Sequence, residues 1–191
     1  MTEKNYHIHA EVPERYELHQ QVEQALDGKE AGRHLWALAP TPGGAVLRVH
    51  TEREVDLTLP WPELPGGIVE TTQAGQTFQF VLDVNPRKKL APTVMGERQR
   101  GKRVGITNPD EIRQWLRRRG PECGFDLEDA AVDVLPGLRI RRRGQTMHFT
   151  RAMVTGTLRI TDPAAFHDFR AAGIGGGKAF GMGLLILLPN S

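Results

Sequence analysis

Residues 173–183 read Gly-Ile-Gly-Gly-Gly-Lys-Ala-Phe-Gly-Met-Gly and run directly into the apolar segment Leu184–Leu188. Six of these eleven residues are glycine, which adopts positive φ at no steric cost and lets another backbone segment approach closely. A flexible surface linker would be followed by polar residues, whereas this stretch leads into an apolar run typical of a buried central strand. The pattern therefore predicts a loop that is pinned beside the core of a sheet and carries one cation, Lys178.

A glycine loop of this kind can offer backbone N–H groups and an ammonium group to a phosphate. It is not a Walker A loop, because Ala179 follows Lys178 where magnesium binding needs Ser or Thr, and Ala172 stands where the first glycine belongs. Lys178 also occupies the position of the last glycine in a dinucleotide-binding fingerprint. A tight glycine turn before a last strand explains the composition equally well, so the rest of the chain must decide the function.

The composition indicates a protein of one domain or two small ones. The chain has 191 residues, of which 39% are hydrophobic, enough for a core. No run approaches the roughly 20 apolar residues of a membrane span. Met1–Asn5 does not form a basic region followed by an apolar one, so no secretory signal is expected. The single cysteine, Cys123, excludes an internal disulfide and a cysteine-based metal cluster, and we expect a cytoplasmic protein.

The net charge of +2 is divided unevenly along the chain. Residues 1–84 hold 6 Lys and Arg against 13 Asp and Glu, a net of −7, whereas residues 85–191 hold 19 against 10, a net of +9. The second half contains two basic clusters, which are Arg87, Lys88, Lys89, Arg98, Arg100, Lys102 and Arg103, and then Arg139, Arg141, Arg142, Arg143 and Arg151. A charged run is usually a solvated face, but two arginine-rich clusters in one half favour a nucleic-acid partner.

The first half of the chain predicts the element order β-α-β-β-(α)-β. Its predicted elements are a strand over Asn5–Val12, a helix from about Pro13 to Leu26, the strands Leu35–Ala39 and Ala45–His50 around a turn at Pro40–Gly44, and a short strand over Ile68–Thr72. The stretch Leu59–Gly67 is too rich in proline for a proper helix, so we expect the second helix to be degenerate.

The second half predicts the same order. It begins with a predicted strand over Thr77–Val84, a long basic connection over residues 87–106, and a helix that is capped by Thr107 or Asn108 and has Pro109 at its first position. An apolar segment over Phe125–Leu135 follows, and then a hairpin of Leu138–Arg143 and Gln145–Thr150 that turns at Gly144. A strand over Met153–Ile160 and a short helix from Asp162 to Ala172 complete the list. The expected fold is α+β, with two tandem ferredoxin-like (RRM-like) βαββαβ units in domains 1–74 and 75–191.

Tyr16 and His19 are the candidate catalytic residues. They lie three apart at the start of the first predicted helix, so they share a face. A helix N-terminus disfavours imidazolium, which helps to keep His19 neutral and able to accept a proton. The alternative is that Tyr16 packs and His19 faces solvent. The sequence contains no HExxH, no paired carboxylates at a persuasive spacing and no GxSxG, so we expect catalysis without a metal or another cofactor.

Four sequence features occur in an order that resembles one family. They are Tyr16-Glu17-Leu18-His19, Val84-Asn85-Pro86-Arg87-Lys88, Gly101-Lys102-Arg103-Val104 before the Trp115 helix, and Gly-Ile-Gly-x-x-Lys-x-x-Gly-x-Gly-Leu-Leu over residues 173–185. Together they resemble the CasE-type endoribonucleases of the CRISPR Cascade system, over nearly the whole chain. Asp83 departs from the resemblance, since those proteins tend to carry a basic residue there, and residues 59–67 do not align.

The resemblance implies an activity, partners and site residues. Proteins of this type cut CRISPR repeat RNA at the base of its stem-loop to make guide RNA for antiviral defence, without a metal, through attack by the 2′-hydroxyl. Tyr16 and His19 would be catalytic. The RNA-binding residues would be Arg87, Lys88, Lys102, Arg103, Arg139, Arg141, Arg142, Arg143, Gly175, Gly177 and Lys178. The implied partners are repeat RNA, mature guide RNA and other Cascade subunits, and we expect a monomer outside the complex.

Two other functions remain open at this point. The first is a non-catalytic RNA-binding subunit of the same architecture, which would have no need of the Tyr16-x-x-His19 pair. The second is a translation-associated RNA-binding protein, for which the pattern over residues 173–185 would be a coincidence. The cut site and the RNA sequence do not follow from this chain.

Overall fold

The first half of the chain forms a four-stranded antiparallel sheet with one helix. The computed structural model describes residues 2–9, 11–65, 71–89, 103–142 and 144–188. The elements of the first half are β1 (Thr2–His9), α1 (Arg15–Leu26), β2 (His34–Thr41), β3 (Gly44–Thr51) and β4 (Glu63–Leu64). The strand order β2-β3-β1-β4 is that of a ferredoxin-like sheet. Leu18, Val22 and Leu26 lie on the buried face of α1, as the helical spacing predicts.

The second half forms a second antiparallel sheet of the same type. Its elements are β5 (Thr77–Val84), β6 (Arg87–Lys89), β7 (Arg103–Gly105), α2 (Pro109–Arg119), β8 (Phe125–Arg142), β9 (Gln145–Ile160), α3 (Pro163–Ala172) and β10 (Leu185–Leu188). The order β10-β5-β9-β8 repeats the ferredoxin-like arrangement, so the predicted fold of two such units is confirmed. The division into domains 1–74 and 75–191 stays a prediction.

Both predicted helix starts in the second half are confirmed by their caps. The Asn108 side chain accepts hydrogen bonds from the backbone N–H groups of Asp110 and Glu111 at 2.9 and 3.1 Å. Asp162 does the same for Ala164 and Ala165 at 3.0 and 3.1 Å. In each helix a proline occupies the first helical position, where its missing N–H is not needed.

Strand boundaries in the first half differ from the prediction. The first strand is Thr2–His9 rather than Asn5–Val12, because its length is set by pairing with β3 from Thr2–Thr51 to His9–Gly44. The fourth strand is Glu63–Leu64, which pairs with Asn5 and Tyr6 of β1. It precedes the predicted Ile68–Thr72 strand, of which residues 68–70 lie outside the described residues and Thr71 and Thr72 are not in a strand.

No second helix is present in the described part of the first half. Leu57 and Leu59 are buried against the sheet there, and the Tyr6 hydroxyl donates a hydrogen bond to the Leu57 carbonyl at 2.7 Å. The proline-rich segment that follows cannot supply the N–H groups of a helix, so extended chain covers the sheet instead. This agrees with the expected degeneracy.

Two predicted connections are more regular than expected. The ends of the long basic connection pair as the β6–β7 hairpin, whereas residues 90–102, including Lys102, lie outside the described residues. The basic hairpin around Gly144 is the far end of the long β8–β9 hairpin, with Gly144 at φ 76° and Arg143 outside the described residues. Among the described residues, no helix is both long and apolar enough to cross a membrane.

The prediction that Leu184–Leu188 forms a central strand is wrong in its position. β10 pairs with β5 alone and is an edge strand of its sheet. It is apolar on both faces because each face is covered. Leu185 and Leu187 belong to the core of the second half, whereas Leu184 and Ile186 pack against Leu35 and Ala37 of the first half.

We expect Gly181→Ala to destabilise the fold by about 2–5 kcal/mol. Gly181 has φ 72°, and a Cβ there would lie 2.2 Å from the buried Trp36 ring. A left-handed conformation costs a non-glycine residue about 1–2 kcal/mol, and the ring must also move, at about 1–3 kcal/mol. The measurement is the free energy of unfolding in urea. Gly43→Ala is the control, because Gly43 has φ 85° with open space around it and should lose only the backbone contribution.

Candidate active site and nucleic-acid interface

Tyr16 and His19 lie together in the first turns of α1. Their ring centroids are 6.4 Å apart, so the predicted shared face is present. Tyr16 packs at the edge of a buried cluster formed by Ile140, Phe180 and Met182. The alternative in which Tyr16 packs is therefore partly correct, and packing holds the phenol beside the imidazole.

The His19 side chain is only 12% exposed, which does not fit a histidine that simply faces solvent. The Phe180 ring meets it edge to face, at 5.6 Å between centroids. Its Nδ1 lies 3.6 Å from a carboxylate oxygen of Glu23. Tyr16, His19, Gln20, Glu23, Gln24 and Ala179 line a shallow depression at this point. The imidazole is thus held in place at the rim of an open site.

The glycine loop is fixed against both halves of the protein. Gly176 bridges to Asn85, and Trp36 Nε1 donates a hydrogen bond to the Ala179 carbonyl at 3.2 Å. Gly177 has φ 83°, a left-handed conformation that favours glycine, and a Cβ there would also displace the end of the Met182 side chain. The prediction of a loop pinned beside the sheet core is confirmed. Gly177 is followed by a 3₁₀ turn over Lys178–Phe180.

Lys178 is a partly buried cation beside a second positive group. Burial, and then the neighbouring Arg33, lower the pKa of Lys178 below the usual lysine value. A desolvated ammonium next to another cation is stabilised when an anion binds to it. This end of the loop is therefore suited to a phosphate.

A cationic cleft lies on one side of the glycine loop. Its lining includes Trp115, Gly175 and Lys178. It also includes five basic residues from the β6–β7 hairpin and α2, which are Arg87, Lys88, Lys89, Arg103 and Arg119. Arg118 lines the adjoining depression. Arg118 and Arg119 were not among the predicted site residues, although the basic run Arg117–Arg119 ends α2 and was a usable signal.

Two cations of the cleft have acidic partners, since Lys88 pairs with Glu111 of α2 and Arg119 lies 3.8 Å from a carboxylate oxygen of Glu122. The side chains of Arg87 and Lys88 line the same cleft as Gly175 and Lys178. Lys102 cannot be placed, since it lies outside the described residues. The structure therefore brings the first basic cluster and the glycine loop together.

The arginine hairpin lies on the other side of the loop. Arg139 and Arg141 are exposed on one face of β8, whereas Ile140 between them is buried against Phe180 and Met182. Such alternation is typical of a β-strand with one face covered. Arg151 belongs to the hairpin in sequence, but its guanidinium is bound to the buried Asp83 at 2.7 Å. The side chains of Arg142 and Arg143 lie outside the described part of the chain.

The glycine loop joins these surfaces to the Tyr16–His19 pair. Phe180, which contacts His19, also packs against Phe149 of the hairpin with centroids 5.4 Å apart. Lys178 lines the cleft and Ala179 lines the depression next to His19. No group of three or more His, Cys, Asp or Glu side chains placed to hold a metal ion occurs among the described residues.

This arrangement can perform acid–base chemistry on a phosphodiester. An imidazole and a phenol lie beside a lysine on a glycine loop, between two cationic surfaces that suit a polyanion. Such a site needs no nucleophile of its own if the substrate carries one. RNA does so in its 2′-hydroxyl, whereas DNA does not.

Comparison with known proteins agrees with the site. The sequence profile of a family described as CRISPR associated protein matches residues 2–189. The CRISPR-associated endoribonuclease Cse3 of Thermus thermophilus is 32% identical, over 91% of this chain and 90% of its own length. A structure of Cse3 endoribonuclease bound to a 19-nucleotide RNA aligns with a TM-score of 0.79 and 28% identity, over 98% of this chain and 100% of that one.

A second structure, of Thermus thermophilus Cse3 bound to an RNA that represents a pre-cleavage complex, has a TM-score of 0.75 and 28% identity over 99% of this chain and 100% of that one. The resemblance to CasE-type endoribonucleases is thereby confirmed over most of the chain. The chain belongs to the CRISPR associated protein family, among the relatives of the Cse3 endoribonuclease.

Proposed function

We propose that this protein is an endoribonuclease that cleaves CRISPR repeat RNA at the base of its stem-loop and so generates guide RNA. The observation that carries the proposal is the position of His19 and Tyr16 at the rim of an open site, next to a glycine loop flanked by two cationic surfaces. The relationship to an endoribonuclease supports RNA as the substrate. The protein would keep its product and act with other Cascade subunits, as a monomer outside that complex.

The reaction uses a nucleophile that RNA supplies. The 2′-oxygen next to the scissile phosphate attacks phosphorus, its proton passes to a base, the bond from phosphorus to the 5′-oxygen breaks, and that oxygen takes up a proton. The products are a 2′,3′-cyclic phosphate and a 5′-hydroxyl. The protein has to align these atoms, move protons and stabilise the added negative charge. None of these tasks requires a metal ion.

The site residues divide these tasks. His19 moves the proton, as general base or general acid. Tyr16 orients the 2′-hydroxyl or the phosphate through its own hydroxyl, because a phenol is a poor base at neutral pH. Lys178 neutralises charge on the phosphate from the side of the glycine loop. Gly175 and Gly177 shape that loop, so that the backbone approaches the RNA closely.

The two cationic surfaces would hold different parts of the RNA backbone. Arg139 and Arg141 project from an exposed strand face that suits the phosphates of the stem, because the deep, narrow major groove of A-form RNA hides the base edges. Arg142 and Arg143, whose side chains lie outside the described part of the chain, stay candidates for further phosphate contacts. Further phosphates of the RNA would be bound in the cleft, by Arg87, Lys88, Arg103 and Arg119, with Lys102 from the adjoining segment.

We expect His19→Ala to lower the single-turnover cleavage rate by about 10²- to 10⁴-fold, the usual contribution of a general acid–base group. RNA affinity should stay within about twofold, because the imidazole is not one of the cations that hold the backbone. The measurements are single-turnover cleavage and equilibrium binding of repeat RNA. His167→Ala, which removes an exposed histidine of α3, is the control.

Cleavage by His19→Ala at close to the rate of the unmodified protein would refute the role of His19. The non-catalytic alternative predicts another result, in which the unmodified protein itself binds the repeat RNA tightly and leaves it intact.

We expect cleavage in excess EDTA at an unchanged rate, with a 2′,3′-cyclic phosphate on the upstream product. The reason is that the proposed nucleophile, base and charge-stabilising groups come from the RNA and from protein side chains. Mass spectrometry of the products reports the end groups. If EDTA abolishes cleavage and Mg²⁺ or Mn²⁺ restores it, the proposed chemistry is wrong.

The role of the 2′-hydroxyl is tested with a repeat RNA that carries a single 2′-deoxy sugar immediately 5′ of the cut and is otherwise identical to the normal substrate. It should bind with normal affinity and remain uncut. Cleavage of this substrate at the same phosphate would show that water is the nucleophile.

We expect the double variant Arg139→Ala/Arg141→Ala to bind the stem-loop more weakly and with a shallower salt dependence. Each phosphate neutralised contributes roughly 0.9 to the slope of log K against log[salt] for a duplex, so two contacts predict a change of about 1.5–2. The measurement is a series of titrations at several salt concentrations with the uncut 2′-deoxy RNA.

The control is Arg53→Ala/Arg159→Ala, which removes two exposed arginines that pair with surface carboxylates instead. Parallel salt plots for the unmodified protein and the Arg139 and Arg141 variant would show that the hairpin does not hold the RNA. The cleft would then be the better candidate for the stem.

A further inference from the structure

Glu23 lies between two imidazole rings at the active site. One of its oxygens, Oε1, is 3.0 Å from Nε2 of His34 and 3.6 Å from Nδ1 of His19. Glu23 follows His19 by four residues on α1, so both side chains are on the same helix face and line the same depression. One carboxylate oxygen is therefore hydrogen-bonded to the His34 ring and lies close to the His19 ring, at a distance slightly longer than a hydrogen bond.

The contact with His34 distinguishes Glu23 from an ordinary surface acid. An isolated pair at this helical spacing is mobile and contributes little, because holding two long side chains costs rotamer entropy. Here the carboxylate is held from outside the helix, since His34 is the first residue of β2. The half-exposed Glu23 side chain is thereby fixed on the side of His19 while it remains at the rim of the site.

We propose that Glu23 is a positioning residue for His19, and that His34 holds Glu23 in place. The proposal rests on the proposed role of His19 in cleavage. A carboxylate next to Nδ1 favours the tautomer with the proton on Nδ1, so the proton exchanged with RNA moves through Nε2. The same carboxylate stabilises the imidazolium, which exists after His19 accepts a proton or before it donates one.

The surrounding charges make this carboxylate useful. Tyr16 shares the helix face with His19, and the 3₁₀ turn packed against α1 brings Lys178 and the Phe180 ring. Arg33 precedes His34 at the start of β2, and the nearby Arg15 is bound to Asp83. Lys178 and Arg33 are close enough for the charge of Arg33 to act on Lys178, and cations near an imidazole disfavour its protonated form. Among the described residues that line the depression, Glu23 is the acidic one and offsets them.

The test is the pH dependence of single-turnover cleavage by Glu23→Gln. Removing the charge makes the imidazolium less stable, so the limb of the pH–rate profile that depends on His19 moves to lower pH, whether His19 acts as base or as acid. We expect a shift of a few tenths of a pH unit, as for a partly exposed ion pair. At neutral pH the rate should fall about 3- to 30-fold, a fraction of the whole acid–base contribution.

Variants of His34 test the second contact. His34→Gln keeps a side-chain donor toward Glu23 and should cleave at close to the normal rate. His34→Leu removes the donor and should show the same shift as Glu23→Gln, but smaller. The matched control is Glu17→Gln, which removes an exposed carboxylate from the same helix outside the depression and should change neither the rate nor the profile.

A Glu23→Gln protein with a normal rate and pH profile would overturn the proposal. Faster cleavage with tighter RNA binding would also overturn it, since Glu23 would then be only a charge that repels RNA. His19→Ala, measured in parallel, separates this result from failure of the proposed function. An inactive His19→Ala beside a fully active Glu23→Gln refutes only the role of Glu23, whereas an active His19→Ala refutes the role of His19 itself.

Discussion

The placement of the active-site helix depends on one buried carboxylate, that of Asp83. It binds the guanidinium groups of Arg15 at the start of α1 and of Arg151 on β9. Arg15 Nη1 also donates hydrogen bonds to the carbonyls of Phe180 and Gly181, at 2.7 and 3.0 Å. Burial, with Arg151 acting in the same direction, lowers the pKa of Arg15 despite the attraction of Asp83. Removal of the carboxylate would leave two arginines without their counter-charge, which typically costs about 3–5 kcal/mol. Arg15 directly precedes Tyr16, so this contact sets the Tyr16–His19 pair against the glycine loop.

A second set of contacts holds the two halves of the protein together. The edge strand β10 presents Leu184 and Ile186 to the first sheet, and Arg48 of β3 donates a hydrogen bond to the Leu187 carbonyl at 3.4 Å. Close by, the buried Glu3 of β1 binds Arg170 of α3 and lies 3.3 Å from His50. The pKa of Glu3 stays below the usual glutamate value. Burial alone would raise it, but the hydrogen bond with His50 and the charges of Arg170 and Arg48 outweigh that effect. An apolar contact and a buried ionic contact therefore act together, and the second adds geometric specificity that the first lacks.

The resulting geometry explains how a small protein can cut RNA with few reactive groups of its own. The glycine loop lies at the centre, with the cationic cleft on one side, the arginine hairpin on the other and the imidazole at its end. In the proposed reaction RNA contributes the nucleophile, and the cationic surfaces would use the phosphate charge for affinity. The protein then needs only a few groups that are held rigidly. Packing of Tyr16 and Phe180, the Asp83 contact and the Glu23–His34 hydrogen bond provide that rigidity.

Much of this was determined by the sequence alone. Local signals predicted the elements and the two-unit fold. They are the caps at Asn108 and Asp162, the apolar spacing in α1 and α2, and the glycine loop before an apolar run. Local patterns also placed Tyr16, His19 and the basic clusters. They could not reveal that β4 is chosen by pairing with β1, or that β10 is an edge strand buried by the other half. Nor could they reveal that Asp83, which was noted only as a departure from the resemblance, anchors the helix of Tyr16 and His19. The partners of Asp83 are 68 residues away in both directions, and Glu23 meets His34 from another element. Contacts between residues so distant in the chain leave no periodic trace in the sequence, so only the tertiary structure decided them.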